Sequence, residues 1–269
     1  MAFQLCKKVI NQWQIIAVIP LLASHRFREM ESKHAAALHA GAAPVGASAR
    51  PRAVLFDLYG TLLDVYSVGE LAEQLFPGAG ASLAKLWRDR QIDFTRLVSM
   101  GGRYRPFREL TVDALHSAAA ALSLPLDEGA SERLMNRYAH LPTFPESLGV
   151  LQALHERGIS CGVLSNGDPE MLAESVRNAG LAGVLDPVLS VHATRRYKVD
   201  PAAYAIGPVA LGLAAPEILF VSSNGWDAIG ATWYGFTTLW VNRRDAPLDR
   251  LGVAPTRVGR TLSDVLEFF

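Results

Sequence analysis

The chain of 269 residues can hold one large domain or two modest ones, and its 50% hydrophobic content is enough for a sizeable core. Lys plus Arg and Asp plus Glu each number 26, so the formal net charge is zero and neither an overall field nor a basic motif favours a nucleic-acid partner. The two cysteines, Cys6 and Cys161, have neither the number nor the spacing of a disulfide framework or a metal site.

Residues 1–50 differ in composition from the rest of the chain. Lys7-Lys8 precede a loosely apolar stretch, Val9 to Ala23, which weakly resembles a signal peptide. Polar residues and a proline interrupt that stretch, so we expect no membrane-spanning helix. Residues 35–49 are rich in Ala, Gly, Ser and Pro, which is typical of a linker. The alternatives are an export signal, a disordered appendage, or a start codon placed too early, with Met30 as the later start. We favour a dispensable extension and a cytoplasmic protein.

An apolar run from Ala53 to Phe56 predicts a strand buried on both faces, as in a parallel sheet. Asp57 follows directly, before a turn at Gly60-Thr61. Open α/β sheets bind ligands at the carboxyl ends of their strands, so Asp57 is a candidate functional carboxylate. The alternative is a turn-favouring Asp that merely ends a core strand.

Residues 68–145 show helical spacing and no strand-like alternation. The positions that mark four helices are Leu71, Leu75 and Phe76; Leu83, Leu86, Trp87, Arg90, Ile92 and Leu97; Val112, Leu115, Leu122 and Leu124; and Leu134, Met135 and Tyr138. Gly101-Gly102 break the pattern between the second and third helices. This helical block interrupts an α/β pattern that resumes afterwards, as an inserted cap domain does.

After residue 145 helices and strands alternate, which predicts a doubly wound, Rossmann-like parallel sheet covered on both faces. We expect helices at 147–157, 169–180, 201–211, 227–234 and 261–269, and strands at 159–164, 188–191, 218–222 and 237–241. Gly158 is placed to end the first of these helices. Asp168-Pro169 is placed to begin the next, as N-cap and first helical residue. The predicted organisation is an extension at 1–50, an α/β core at 51–67 and 146–269, and a helical cap at 68–145.

Polar side chains recur where the predicted strands end. These are Asp57 and Thr61, then Ser165, Asn166 and Gly167, then Lys198, and finally Ser222, Asn224 and Asp227. Each group alone is explained by a turn, a helix cap or a solvated side chain. Because the carboxyl ends of parallel strands lie side by side, the groups together predict one shared site.

The same blocks resemble the four motifs of the type II (L-specific) 2-haloacid dehalogenases of the haloacid dehalogenase superfamily. The blocks are Phe56 to Leu62, Leu164 to Gly167, Tyr197-Lys198 and Phe220 to Asp227; the cap segments Leu86 to Gln91 and Arg103 to Phe107 also resemble the family. The resemblance spans residues 52–269. Phosphatases of the superfamily carry a second Asp two residues after the first, to protonate a departing alcohol, and here that position is Tyr59. A halide leaves without a proton, so Tyr59 favours the dehalogenases. Val199 departs from the pattern, which usually has Pro after the lysine.

The resemblance implies a role for each site residue. Asp57 is the nucleophile that forms an ester with the substrate, and Lys198 supplies the positive charge needed when one carboxylate attacks another anion. Thr61 and Ser165 would bind the substrate and nucleophile carboxylates. Arg88 and Asn166 would bind the halide, with Phe107 and Trp226 as walls and Tyr59 lining the pocket. Asp227 would activate water, arranged by Ser222 and Asn224, and Tyr204 would support Lys198 and Asp227. For Arg88 the alternative is a surface arginine, and for Trp226 it is core packing.

Three functions are compatible with these residues. The first is hydrolysis of short-chain (S)-2-haloacids to (R)-2-hydroxyacids without metal or cofactor. The second is a phosphatase on the same fold, acting on a small phosphorylated metabolite, and Tyr59 argues against it. The third is a non-enzymatic binding protein that has kept the site. The resemblance also implies a homodimer, with a small-molecule 2-haloacid as the only other expected partner.

Overall fold

The computed structural model describes residues 50–269, and the interpretations of residues 1–49 lie outside that range. In the described range six strands form one parallel sheet. The strands are β1 (Ala53–Phe56), β2 (Ser160–Ser165), β3 (Val188–Ser190), β4 (Ile218–Ser222), β5 (Thr237–Val241) and β6 (Arg257–Gly259). The predicted fold class, a parallel α/β sheet, is confirmed.

The order of the strands, β3-β2-β1-β4-β5-β6, positions the site. From β1 the chain extends the sheet in one direction through β2 and β3, and in the other through β4, β5 and β6. The order therefore reverses between β1 and β4, which pair in register from Ala53 with Ile218 to Phe56 with Val221. Ligands of open α/β sheets bind outside the carboxyl ends of the strands at such a reversal. All four residues of β1 and all five of β4 are buried, which is why their sequences are continuously apolar.

Helices of the cap lie between β1 and β2 in the chain. They are α1 (Val68–Leu75), α2 (Gly80–Met100), α3 (Phe107–Ala121) and α4 (Glu128–Ala139). The four-helix prediction is confirmed, and the turn between α2 and α3 contains Gly101-Gly102. Leu122 and Leu124 were wrongly assigned to the third helix, which ends at Ala121; both still pack against the core as partly buried residues. Apolar spacing alone does not distinguish the last helical turn from the segment that follows it.

The core domain contributes α5 (Ser147–Glu156), α6 (Pro169–Asn178), α7 (Pro201–Leu211) and α8 (Gly225–Tyr234). Gly158 follows α5 with a φ of +72°, the left-handed conformation predicted for the end of that helix. Short 3₁₀ helices lie at Val65–Ser67, Val191–Thr194, Ala215–Glu217 and Leu262–Phe268. None of the helices in the described range is long and apolar enough to cross a membrane.

Three local predictions need correction. The helix expected from residue 227 begins at Gly225, so Asp227 lies in its first turn. The last helix is a 3₁₀ helix, and the short strand β6 before it was not predicted. Asp168 precedes α6 as predicted, but its carboxylate makes no capping hydrogen bond to that helix. It accepts hydrogen bonds from the backbone at the start of α3 instead.

Candidate active site

Asp57 lies directly after β1, and its backbone N–H donates to Val221 O of β4 at 2.9 Å. Both of its carboxylate oxygens are held. Oδ2 accepts hydrogen bonds from Thr61 Oγ1 at 3.2 Å and Asn224 Nδ2 at 2.8 Å, and Oδ1 accepts one from Lys198 Nζ at 3.1 Å. The side chain is 9% exposed. Three donors thus hold the Asp57 carboxylate in one orientation.

Lys198 is the buried cation of the site, and its side chain is 0% exposed. Its ammonium donates to Asp57 at 3.1 Å and to Asp227 at 2.9 Å, and lies 4.8 Å from the centre of the Phe220 ring. Burial acts to lower the pKa of Lys198, but the two carboxylates outweigh burial and the net pKa is raised. Lys198 therefore carries its positive charge at neutral pH.

The segment that presents Lys198 is held by Asn166, whose Oδ1 accepts a hydrogen bond from the Lys198 backbone N–H at 3.0 Å. The peptide bond from Lys198 to Val199 is cis. Val199, the departure from the family pattern, is 38% exposed, whereas the lysine beside it is buried. The structure thus brings the Lys198 side chain to Asp57 with valine at position 199.

Asp227 is fully buried in the first turn of α8. Its Oδ1 accepts a hydrogen bond from the Tyr204 hydroxyl at 2.7 Å, and its Oδ2 accepts one from Lys198. Burial raises the pKa of Asp227, Lys198 opposes this, and the nearby Asp57 charge raises it again, leaving the net pKa above its usual value. A carboxyl with a raised pKa is a better proton acceptor than an ordinary aspartate, provided that it is ionised.

Gly230 allows α7 and α8 to approach closely behind this pair. A Cβ atom at position 230 would lie 2.6 Å from the Tyr204 hydroxyl oxygen, which is shorter than any normal contact. The same atom would lie 2.5 Å from Val199 Cγ1, so a larger residue at position 230 requires Val199, Tyr204 or the helix backbone to shift.

Arg88 of α2 reaches the site from the cap. It is 8% exposed, so the surface-arginine alternative is excluded. Its Nη2 donates to the Tyr59 carbonyl oxygen at 3.0 Å, and Asn224 Nδ2 donates to the same oxygen at 3.3 Å. This shared acceptor brings the Arg88 guanidinium next to the group that also holds Asp57.

Three aromatic residues were predicted to line the pocket: Tyr59, Phe107 and Trp226. Tyr59 is buried and stacks on Phe107, with ring centroids 5.9 Å apart, and its hydroxyl oxygen lies 3.1 Å from Ser175 Oγ. Trp226 is partly exposed, and the Arg96 guanidinium of α2 lies 5.3 Å from the centre of its ring. Trp226 is therefore covered by the cap and is not part of the buried core, which removes the core-packing alternative.

Three predicted residues make their hydrogen bonds to backbone in the loops after the strands. Ser165 Oγ accepts from the Gly167 N–H at 3.3 Å, Ser222 Oγ accepts from the Asn224 N–H at 3.1 Å, and Asn166 holds Lys198 as described. Asn224 was expected to arrange Asp227, but its side chain bonds to the Asp57 carboxylate. Tyr204 was expected to support both Lys198 and Asp227, and its hydroxyl bonds to Asp227.

Gln91 is a residue of the site region that sequence reasoning gave no role. It is 1% exposed, and its Oε1 accepts a hydrogen bond from Arg88 Nη1 at 2.7 Å. Its Nε2 donates to Thr111 Oγ1 of α3 at 2.7 Å, so Gln91 connects Arg88 to the neighbouring helix. The sequence spacing could have indicated this contact, because Gln91 follows Arg88 by three positions and residues three apart lie on one face of a helix.

Within residues 50–269 no group of three or more His, Cys, Asp and Glu side chains is arranged to hold a metal ion. The space between the carboxylates of Asp57 and Asp227 is occupied by the Lys198 ammonium. Independence from metal stays a prediction, which chelation tests directly.

Comparison with known proteins gives consistent matches. A family model described as haloacid dehalogenase-like hydrolase matches residues 51–235. The chain is 41% identical to haloacetate dehalogenase H-2 of Moraxella sp. (strain B) over 76% of this chain and 91% of that protein. It is 40% identical to the (S)-2-haloacid dehalogenase of Pseudomonas sp. (strain YL) over 81% of this chain and 94% of that protein.

Solved structures agree with the sequence matches. A crystal structure of an L-2-haloacid dehalogenase is 56% identical to this chain, with a TM-score of 0.79 over 81% of this chain and 98% of the other. The L-2-haloacid dehalogenase from Xanthobacter autotrophicus, solved with chloropropionic acid covalently bound, is 34% identical. Its TM-score is 0.75 over 81% of this chain and 97% of the other.

Proposed function

Because the chain belongs to the haloacid dehalogenase-like hydrolases, and within them to the (S)-2-haloacid dehalogenases, we propose that it hydrolyses short-chain (S)-2-haloacids to (R)-2-hydroxyacids and halide. The observation that carries the proposal is the buried row of Asp57, Lys198 and Asp227, with Lys198 Nζ 3.1 Å and 2.9 Å from the two carboxylates. A nucleophile, a cation for an anionic substrate and a proton acceptor thus lie within one cluster.

In the first step Asp57 attacks the halogen-bearing carbon from the side opposite the halogen. A carbon–oxygen bond forms as the carbon–halogen bond breaks, the halide leaves with the bonding electrons, and the carbon inverts. Two anions 4 Å apart repel by about 4 kcal/mol at an effective dielectric constant of about 20, so the attack of a carboxylate on a carboxylate-bearing substrate is opposed by charge. Lys198 offsets that repulsion, and we assign the Thr61 and Ser165 hydroxyls to hold the two carboxylates.

The departing halide carries a full negative charge and needs donors. We assign it to Arg88 and to the amide nitrogen of Asn166, whose oxygen is engaged by the Lys198 backbone. Phe107 and Trp226 form apolar walls, and Tyr59 closes the pocket between them. Since a halide leaves unprotonated, tyrosine at position 59 costs the reaction nothing, whereas an alcohol leaving group would lack its acid.

In the second step water attacks the carbonyl carbon of the Asp57 ester. Asp227 accepts one proton from the water, and the bond between the acyl carbon and the substrate oxygen breaks. The departing alkoxide takes the proton from Asp227, and Asp57 releases the second proton of the water to solvent as its carboxylate is restored. One carboxylate oxygen of Asp57 is thereby replaced by an oxygen from water. Tyr204 holds Asp227 in place through its hydroxyl, and Ser222 and Asn224 shape the loop that precedes the base.

The test is multiple turnover of (S)-2-chloropropionate in heavy-oxygen water, followed by mass analysis of the peptide that bears Asp57. We expect chloride release and a gain of heavy oxygen in that peptide. Asp57→Asn is the control and should release no chloride on the same timescale. Turnover with an unlabelled Asp57 peptide would mean that water attacks the substrate directly, and the ester mechanism would be rejected.

A phosphatase is disfavoured because Tyr59 replaces the acid that phosphate esters require. Phosphate release from a panel of common phosphomonoesters with Mg²⁺, without chloride release from haloacids, would favour that alternative. A binding protein would give neither product.

We further propose a cytoplasmic homodimer. Support for the dimer comes from Leu97 and Met100, which are 62% and 85% exposed near the end of α2 and offer an apolar surface to a second copy. Sedimentation of the full chain and of a Met100→Glu variant tests this, since a dimer that uses this surface should dissociate in the variant. Recovery of the protein from the cytoplasmic fraction tests the location.

A further inference from the structure

We propose that Asp168 is a positioning residue that fixes the cap over the site. Its carboxylate, which lies in a different part of the same chain, takes the place of an N-cap side chain for α3. The inference rests on the proposed function, because α3 begins at Phe107, which we assign to the halide pocket. Asp168 itself is not assigned contact with the substrate.

The geometry is that of a helix cap supplied by the other domain. The Asp168 carboxylate accepts hydrogen bonds from the Phe107 N–H at 2.9 Å and the Arg108 N–H at 2.7 Å. The first N–H groups of a helix have no partner within it, and the residue at the N-cap position of α3, Pro106, has no side chain that accepts them. A carboxylate placed there also complements the positive end of the helix dipole.

Neighbouring contacts hold the same segment. The Tyr197 hydroxyl donates to Arg105 O at 2.7 Å, and His192 Nδ1 lies 2.9 Å from the Tyr104 hydroxyl and 3.3 Å from Asp168 Oδ1. These bonds fix the loop that leads into α3, whereas Asp168 fixes the helix itself. Asp168 is 6% exposed, so water cannot readily replace it as the acceptor.

The effect on the site passes through Phe107. Its ring stacks on Tyr59, and its carbonyl oxygen accepts a hydrogen bond from Thr111 Oγ1 at 2.7 Å, so the ring moves with the first turn of α3. A loosened first turn displaces one wall of the pocket in the ground state and the transition state alike. Loss of such uniform binding raises KM and leaves kcat nearly unchanged.

Asp168→Ala tests the inference against a matched control. We expect its KM for (S)-2-chloropropionate to rise about tenfold with kcat changed by less than about threefold, because two hydrogen bonds to a buried carboxylate are lost. Amide hydrogen exchange in the first turn of α3 should accelerate by at least about tenfold. The control is Asp127→Ala, which removes the carboxylate that caps α4 within the cap, where Asp127 Oδ1 accepts from the Ala130 N–H at 2.7 Å. It should leave KM and the exchange of α3 unchanged.

Asp168→Asn keeps one acceptor oxygen and should give a KM between those of the wild type and Asp168→Ala. If the alanine variant does not fold, the KM and the α3 exchange of Asp168→Asn test the inference in its place. An unchanged KM or unchanged exchange in α3 overturns the inference, as does an equal rise in KM for Asp127→Ala. Failure of the proposed function is distinguishable, because the wild type would then release no chloride while the exchange measurement still reports on Asp168.

Discussion

Replacing Lys198 with methionine removes the cation from the buried row and keeps nearly the same side-chain length. At an effective dielectric constant of about 20, two opposite charges about 3 Å apart attract by roughly 5 kcal/mol, and breaking a buried pair by removing one partner typically costs about 3–5 kcal/mol. For a protein of this size that corresponds to a fall in Tm of about 10 °C. We expect kcat for chloride release to fall by at least about 10³-fold, because the attack on an anionic substrate loses its charge stabilisation.

The destabilisation of Lys198→Met should depend on pH in a defined direction. Burial raises the pKa of Asp227, and Lys198 is the strongest influence that lowers it, so the variant has a still higher Asp227 pKa. A group whose folded pKa exceeds its unfolded value adds stability below the unfolded pKa and loses it as pH rises through the folded pKa. The variant should therefore be closer to wild type in Tm at about pH 5 than at about pH 8.

The assay is thermal unfolding at both pH values together with chloride release at neutral pH. Lys85→Met is the matched control: Lys85 also pairs with an aspartate, at 2.6 Å from Asp89, but its side chain is 68% exposed. It should change Tm by less than about 1 °C and leave kcat unchanged. Chloride release by Lys198→Met within tenfold of wild type, or an equal loss of Tm at both pH values, would refute the charge argument.

Two further predictions concern the base and the metal. Tyr204→Phe removes a hydrogen bond that lowers the pKa of Asp227, and since Asp227 must be ionised to accept a proton, the acid limb of the kcat profile should move to higher pH. A limb at the wild-type position would show that another group controls it. Exhaustive EDTA treatment should leave activity intact, because Lys198 supplies the positive charge between the carboxylates; a loss of turnover that Mg²⁺ restores would contradict this.

The fold and the centre of the site could be predicted from the sequence because both depend on local patterns of apolar and polar residues. Continuous apolar runs identified β1 and β4, and the polar residues that follow them meet because parallel strands end at one edge. Asp57, Lys198 and Asp227 were found in this way. The strand β6 was not predicted because it has three residues, two of which are exposed, and so lacks the continuous apolar run that marks β1 and β4.

Contacts between the two domains were harder to predict. Asp168-Pro169 has the pattern of a helix start, yet the Asp168 carboxylate bonds to α3, some 60 residues earlier in the chain. Asn224 follows β4 as expected, but its side chain bonds to the Asp57 carboxylate and to the Tyr59 carbonyl oxygen in the turn after β1, and not to Asp227. Local patterns indicate which residues are free to bond and not which partner the tertiary structure brings to them.

The charge pattern of the buried row has a consequence for the order of the two chemical steps. The negative charge of Asp57 is one of the influences that raise the pKa of Asp227. In the proposed mechanism, formation of the ester removes that charge and leaves Asp227 as the carboxylate that pairs with Lys198. Loss of the Asp57 charge lowers the pKa of Asp227, which favours its ionised form while the ester awaits water. On the proposed roles, the displacement step itself would therefore adjust the group that serves the hydrolysis step.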